Sequence, residues 1–167
     1  MTTSRRTFAL LVIAASLAGC AAYKPVPEGY TGPVAVVADS GFSESGSKAQ
    51  IFALVEVDSN SIDNSFAASA RASQGQGFAL TTRYVSRPVP ATPMKVKLRG
   101  SHATAAPIHA IFSQASGSFY SVEGVTDFTP VPGGNYVVKG ELNKDGSSVW
   151  IEDVGTHRPV TQKVSSN

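Results

Sequence analysis

An all-β fold, either an antiparallel β-sandwich or a small β-barrel, is what this 167-residue sequence predicts. Three observations lead there. From Cys20 onward the chain holds 18 Val but only 4 Leu, and β-branched side chains suit pleated strands better than helices. Apolar and polar residues alternate with period two through most of the apolar segments. Gly and Pro, 15 and 10 of them, interrupt the chain at the short spacing of strands joined by turns.

The elements follow in order. Val34 to Asp39 (VAVVAD) predicts a first strand, closed by Ser40-Gly41. Lys48 to Asp58 puts Ile51, Ala53, Val55 and Val57 on one face, while Phe52 and Leu54 make the other partly apolar, the pattern of a central strand. Residues 62–73 (IDNSFAASARAS) alternate better with period two than with period 3.6 and predict a half-buried strand. A turn at Gln74 to Gly77 then leads to a strand over Phe78 to Ser86. Pro88, Pro90 and Pro93 lack ladder donors and forbid a central strand between Arg87 and Met94. Met94 to Arg99 alternates cleanly, with Met94, Val96 and Leu98 inward. Further strands are expected at Pro107 to Phe112, Ser118 to Phe128, Tyr136 to Leu142, Ser148 to Val154 and Val160 to Val164, with an Asp145-Gly146 hairpin signal between two of them.

The N-terminal residues carry an address. Met1 to Arg6 is a short cationic start and Thr7 to Ala18 an uncharged apolar run, short of the ~20 residues a bilayer span needs but suited to a secretory signal. It ends in Leu17-Ala18-Gly19-Cys20: an aliphatic residue, two small ones and then the chain's only cysteine. This segment resembles a bacterial lipoprotein precursor. The resemblance implies a signal peptide over residues 1–19, lipidation of Cys20 as the mature N-terminus, a tether over 20–32 that contains Pro25 and Pro27, and a β-domain over 33–165. Ala21, in place of the Asp that favours inner-membrane retention in that class, implies transfer to the outer membrane. Ser4-Arg5-Arg6-Thr7-Phe8 also resembles a twin-arginine signal, whereas the apolar run that begins at once suits the Sec route. Phe128 to Val138, with Pro132-Gly133-Gly134-Asn135-Tyr136, resembles over that short stretch the strand entry of transthyretin-like and carboxypeptidase-regulatory-like sandwiches. A tight turn at the glycines with Tyr136 covering the core end accounts for it equally.

Charge and motif exclude several functions. Without Arg5 and Arg6 the chain has twelve cations against twelve acids, which argues against a nucleic-acid binder. A single cysteine excludes a disulfide framework and a multi-cysteine zinc site. Ser45-Gly46-Ser47-Lys48 matches Ser-x-x-Lys but precedes a strand rather than opening a helix, and Gly75-x-Gly77 is a turn without a βαβ unit. His102, His109 and His157 are too scattered to form a local metal site, and Glu152 and Asp153 diverge as neighbours on a strand. No catalytic residue, metal ligand or cofactor is therefore assigned.

One surface feature remains. Arg83 and Arg87 share a parity, as do Lys95, Lys97 and Arg99; antiparallel pairing of the two segments would gather all five cations on one face. Such a face suits an anionic envelope component, but its ordinary meaning is a solvated sheet face whose cations blunt an edge strand. The expectation is an outer-membrane-anchored lipoprotein facing the periplasm, with the membrane as one partner and an envelope protein or anionic component as another. Its β-domain would bind or scaffold without catalysis. The alternative is a small envelope enzyme or metal-binding protein with a site assembled from distant residues.

Overall fold

A computed structural model describes residues 22–105, 117 and 119–166. In chain order the elements are β1 (Val34–Ala38), β2 (Ser40–Ser45), β3 (Lys48–Val57), β4 (Asn60–Ser61), α1 (Ser65–Ser73), β5 (Ser86–Pro90), β6 (Met94–Thr104), β7 (Ser121–Phe128), β8 (Asn135–Glu141), β9 (Ser147–Asp153), β10 (Arg158–Pro159) and β11 (Val164–Ser166). They form two sheets. One has the order β10-β9-β8-β1-β5 with β11 also on β9; the other has the order β2-β3-β6-β7 with β4 on β3. Pairing is antiparallel except between β1 and β8. The sheets pack face to face as a sandwich, and neither closes into a barrel.

The core is built by the predicted alternation. Ala35 and Val37 of β1, Val89 of β5, Val96 and Leu98 of β6, Val138 of β8 and Val149 and Ile151 of β9 are fully buried between the sheets. Phe52 reaches across to β8 of the facing sheet, and two glycines make room for it: a methyl group on Gly100 would come within 2.9 Å of its ring, and one on Gly140 would collide with it outright. At one end Tyr136 meets Phe128 edge-on at 5.1 Å and accepts a hydrogen bond from the Val131 amide. Its ring lies where a side chain on Gly134 would have to go, so the Pro-Gly-Gly-Asn-Tyr stretch serves as a turn and a core cover.

In β3 both faces are buried, as the sequence indicates, but their membership changes along the strand. A bulge between Leu54 and Glu56 shifts the register against β6. Ile51 and Ala53 therefore face away from the main core while Val57, expected beside them, joins Phe52 and Leu54 inside it. β2, not expected as a strand, pairs along β3 up to a two-residue turn at Gly46-Ser47, which is where the Ser-x-x-Lys match falls.

Residues 62–73 are the main correction. Residues 65–73 are helical, not extended. Asn64 caps the helix by accepting from the amides of Phe66 and Ala67. The serines expected on one face of a strand recur every fourth residue, and that spacing lets them hold the next segment. Ser65 accepts from the Val85 amide, Ser69 from Arg83 and Ser73 from Thr81, each at 2.9 Å. Four helical residues advance about 6.0 Å and two extended residues about 6.6 Å, so the two repeats nearly match. This also corrects the strand expected over Phe78 to Ser86. Residues 81–85 run extended beside α1 with alternate amides on serine hydroxyls, and only Ser86 enters β5.

β5 lies at the edge of its sheet, where Pro88 and Pro90 are tolerated. The strand expected over Val160 to Val164 is instead a return segment beside β9, with the Val160 amide on the Ile151 carbonyl and Lys163 Nζ 3.9 Å above the Trp150 ring. β10 and β11 flank it. The strand expected over Pro107 to Phe112 lies outside the described residues.

Candidate functional site

The five cations that the sequence grouped do not share a face. β5 pairs with β1 and β6 with β3 and β7, so the assumed pairing of the two segments is replaced by placement in opposite sheets. Arg83 is exposed beside α1. Arg87 turns inward and is only 7% exposed. Its two terminal nitrogens grip Asp39 in a fork, at 2.8 and 2.6 Å. Asp39 closes β1 and also accepts from the Leu54 amide (3.0 Å), the Ser65 amide (2.9 Å) and the Ser65 hydroxyl (2.8 Å). Five hydrogen bonds thus tie β1, β3, α1 and β5 at one buried carboxylate. This is a structural joint, and Arg87 has no charge to spare for a ligand.

Lys95, Lys97 and Arg99 do project together from β6, as their alternation predicts. The neighbouring strands oppose each with an acid: Lys95 with Asp127 at 2.9 Å, Lys97 with Glu56 at 3.0 Å and Glu123 at 3.5 Å, and Arg99 with Glu123 at 3.8 Å. The hydrogen bond to Glu56, then its charge and that of Glu123, hold the Lys97 ammonium above its ordinary pKa. Arg99 also lies 4.8 Å over the ring of Phe66 at the start of α1. Between them runs a groove of about 270 Å³ walled by Glu56, Asn64, Phe66, Lys97, Arg99 and Glu123. A second groove of about 310 Å³ starts from the same Phe66 and follows α1 toward Ala103 and Thr104. The face is therefore an alternating-charge surface with an aromatic centre. Phe66 is not recognisable as a site residue while its segment is taken for a strand; the Asn64 cap is the signal for its helix.

A second cluster was not foreseen. His102 of β6 has a buried ring whose Nδ1 accepts from the Tyr120 amide at 3.0 Å, so these contacts assign the proton to Nε2, which sits 3.0 Å from Glu44 Oε1. Gln50 donates to the same oxygen at 2.6 Å and Lys48 reaches the other at 3.1 Å. The ring is held at both nitrogens, leaving it no lone pair with which to take a proton from a substrate. Burial pushes the Glu44 carboxyl up, but the hydrogen bonds from Gln50, Lys48 and His102 outweigh it and hold the group below the ordinary glutamate range. A depressed carboxylate adds stability that is present above its unfolded pKa, about 4.3, and is lost as pH falls through the folded value. Denaturant midpoints should therefore fall on acidification below about pH 4.3, and more steeply in wild type than in Glu44→Gln. Parallel profiles would contradict this.

His157 is exposed at a turn, with Nδ1 3.6 Å from Glu152, while Asp153 accepts from the amides of Gly155 and Thr156, so the two acids diverge as expected. His109 lies outside the described residues. Among the described residues no three His, Cys, Asp or Glu side chains are grouped to hold a metal ion, and no helix is long and apolar enough to cross a membrane. Compared with known proteins, the chain matches no family model, no curated protein and no solved structure.

Proposed function

We propose that this chain is a lipoprotein of the bacterial cell envelope, held in the outer membrane by acyl chains on Cys20 and presenting its β-sandwich to the periplasm, where it binds or scaffolds an envelope partner without catalysis. The observation that carries the reading is Leu17-Ala18-Gly19-Cys20, which ends an uncharged apolar run after a cationic start and contains the chain's only thiol. Several acyl chains at about 0.8 kcal/mol per buried CH₂ make such an anchor durable. The sandwich supports the binding role: among the described residues the buried Asp39 and Arg87 are spent on each other, and the buried His102 on the more exposed Glu44. The grooves around Phe66 offer apolar, cationic and anionic contacts within one surface. A partner with both charge signs, such as a peptide segment, suits them better than a purely anionic one, because each β6 cation already faces an acid.

Cys20→Ser should abolish incorporation of radiolabelled palmitate and leave an unprocessed precursor. Wild type should be labelled, shortened and recovered with the outer membrane. Label persisting in the Cys20→Ser protein would overturn the anchor. Capture of partners by the anchored wild type should weaken when Phe66→Ala removes the centre of the groove surface; an unchanged set of partners would place binding elsewhere.

A further inference from the structure

We infer that the outer face of β1 and β5, together with the groove beside it, is a docking surface for the lipid bilayer that carries the anchor. The inference rests on the proposed lipidation of Cys20. A sheet face turned to water is ordinarily polar, opposite a buried apolar face. In β1 and over Pro88 to Pro90 of β5 both faces are apolar. Ala35, Val37 and Val89 point into the core, while Val34 and Val36 point outward and remain 38% and 36% exposed. Pro90 and Pro88 stand directly opposite those two valines in the ladder and so share the outward face. The turn at 131–134, whose Gly133 amide donates to the Val34 carbonyl and whose Gly134 carbonyl accepts from the Val36 amide, adds the exposed Val131 beside them.

This face continues into an apolar groove of about 220 Å³. Tyr23, Pro25 and Val26 of the tether, Ile62, Val85 and the same Pro88 make most of its wall, and the charged Lys24, Asp63 and Arg87, the last already paired with Asp39, complete it. Tyr23 is bridged to Ile62, which fixes the tether against the domain at that point. Cys20 lies only three residues upstream. At no more than about 3.6 Å per residue, its Cα is held within roughly 11 Å of the Tyr23 Cα. A short tether pinned to the domain leaves little freedom for the domain to stand away from the membrane, and the surface that the pin presents is the apolar one. Tyr23, 41% exposed, and the neighbouring Lys24 supply an aromatic ring and a cation, the residue types that settle at the headgroup level. The occupant is not an added β-strand, because Pro88 and Pro90 deprive the β5 edge of two donors. Docked in this way, the domain turns its other sheet, with α1 and the grooves around Phe66, away from the lipid.

The test uses the processed, lipidated protein in vesicles of phosphatidylethanolamine and phosphatidylglycerol. With Cys20 blocked by its lipid, Val36→Cys provides the one free thiol for a nitroxide, and Val34→Cys is an independent second position. Phe42→Cys, on exposed β2 of the other sheet, is the control. The labels at 36 and 34 should collide with oxygen several-fold more, and with a water-soluble nickel chelate several-fold less, than the label at 42. Water-like accessibility at all three positions, with the acyl mass on Cys20 present, would overturn docking and leave the anchor standing. Spin–spin broadening at 36 and 34 would assign the face to a second copy and overturn the lipid reading. Absence of the acyl mass would remove the anchor and the docking together.

Discussion

Asp39→Ala is expected to destabilise the domain by an amount near the top of the range of about 3–5 kcal/mol that breaking a buried ion pair costs. For a domain whose total stability is of the order of 5–15 kcal/mol, that is a large share. The loss has two parts. Arg87, 7% exposed, would keep a charge with no counter-charge, and the amides of Leu54 and Ser65 would lose their acceptor. Arg87→Met instead leaves the buried Asp39 carboxylate without its counter-charge, but Asp39 would still accept from Leu54 and Ser65, so its cost should sit near the lower end of the same range. Combining Asp39→Leu with Arg87→Met should not recover wild-type stability, since an apolar side chain at position 39 cannot serve the two amides. Urea unfolding of the three proteins decides the matter. A double variant as stable as wild type would mean that the carboxylate serves the ion pair alone.

Gly140→Ala is expected to cost about 1–3 kcal/mol through overpacking. The added methyl would run into the Phe52 ring and stand 2.6 Å from the Ser148 carbonyl oxygen on the paired strand β9. Gly100→Ala should cost less, because its nearest neighbours are side-chain atoms at 2.9 Å and beyond. Adding Phe52→Leu should recover part of the loss in Gly140→Ala while destabilising wild type, a coupling of about 0.5–3 kcal/mol for residues in contact. Strict additivity in the thermal midpoints would show that the backbone contact, not the ring, sets the cost.

Much of the sandwich was legible because its strands obey a local rule. β1, β8 and the first part of β6 bury every second residue, and that alternation is visible without a partner. β3 and β9 carry unbroken apolar runs at their centres, which mark strands covered on both faces. β2 was illegible for the opposite reason: Ser40 to Ser45 has no buried face, so it carries no apolar rhythm and is a strand only by pairing with β3. The helix is hidden in the sequence because serines four apart also fit a period of two, and the buried stripe of α1 is polar. Its meaning depends on the amides of residues 81–85, which arrive from later in the chain. The site behaved similarly. That Lys95, Lys97 and Arg99 share a face could be read from spacing, but the acids that meet them come from β3 and β7 in a register that a sequence does not display. Arg87 showed the same limit, since its partner Asp39 is 48 residues away.

The segment beside α1 is attached by its main chain. Thr81, Arg83 and Val85 each offer the amide that every residue but proline has, and the serines of α1 supply the acceptors. Attachment and display are thereby separated. Arg83 and Tyr84, both exposed, could be exchanged for almost any side chain without loosening the segment, whereas replacing Ser65 or Ser69 would strip it of its holds. Recognition loops on rigid frameworks rely on the same division of labour. The stretch most free to change its chemistry is thus one of the better fastened, and variation among relatives of this chain would concentrate at residues 82–84 while the serines stayed constant.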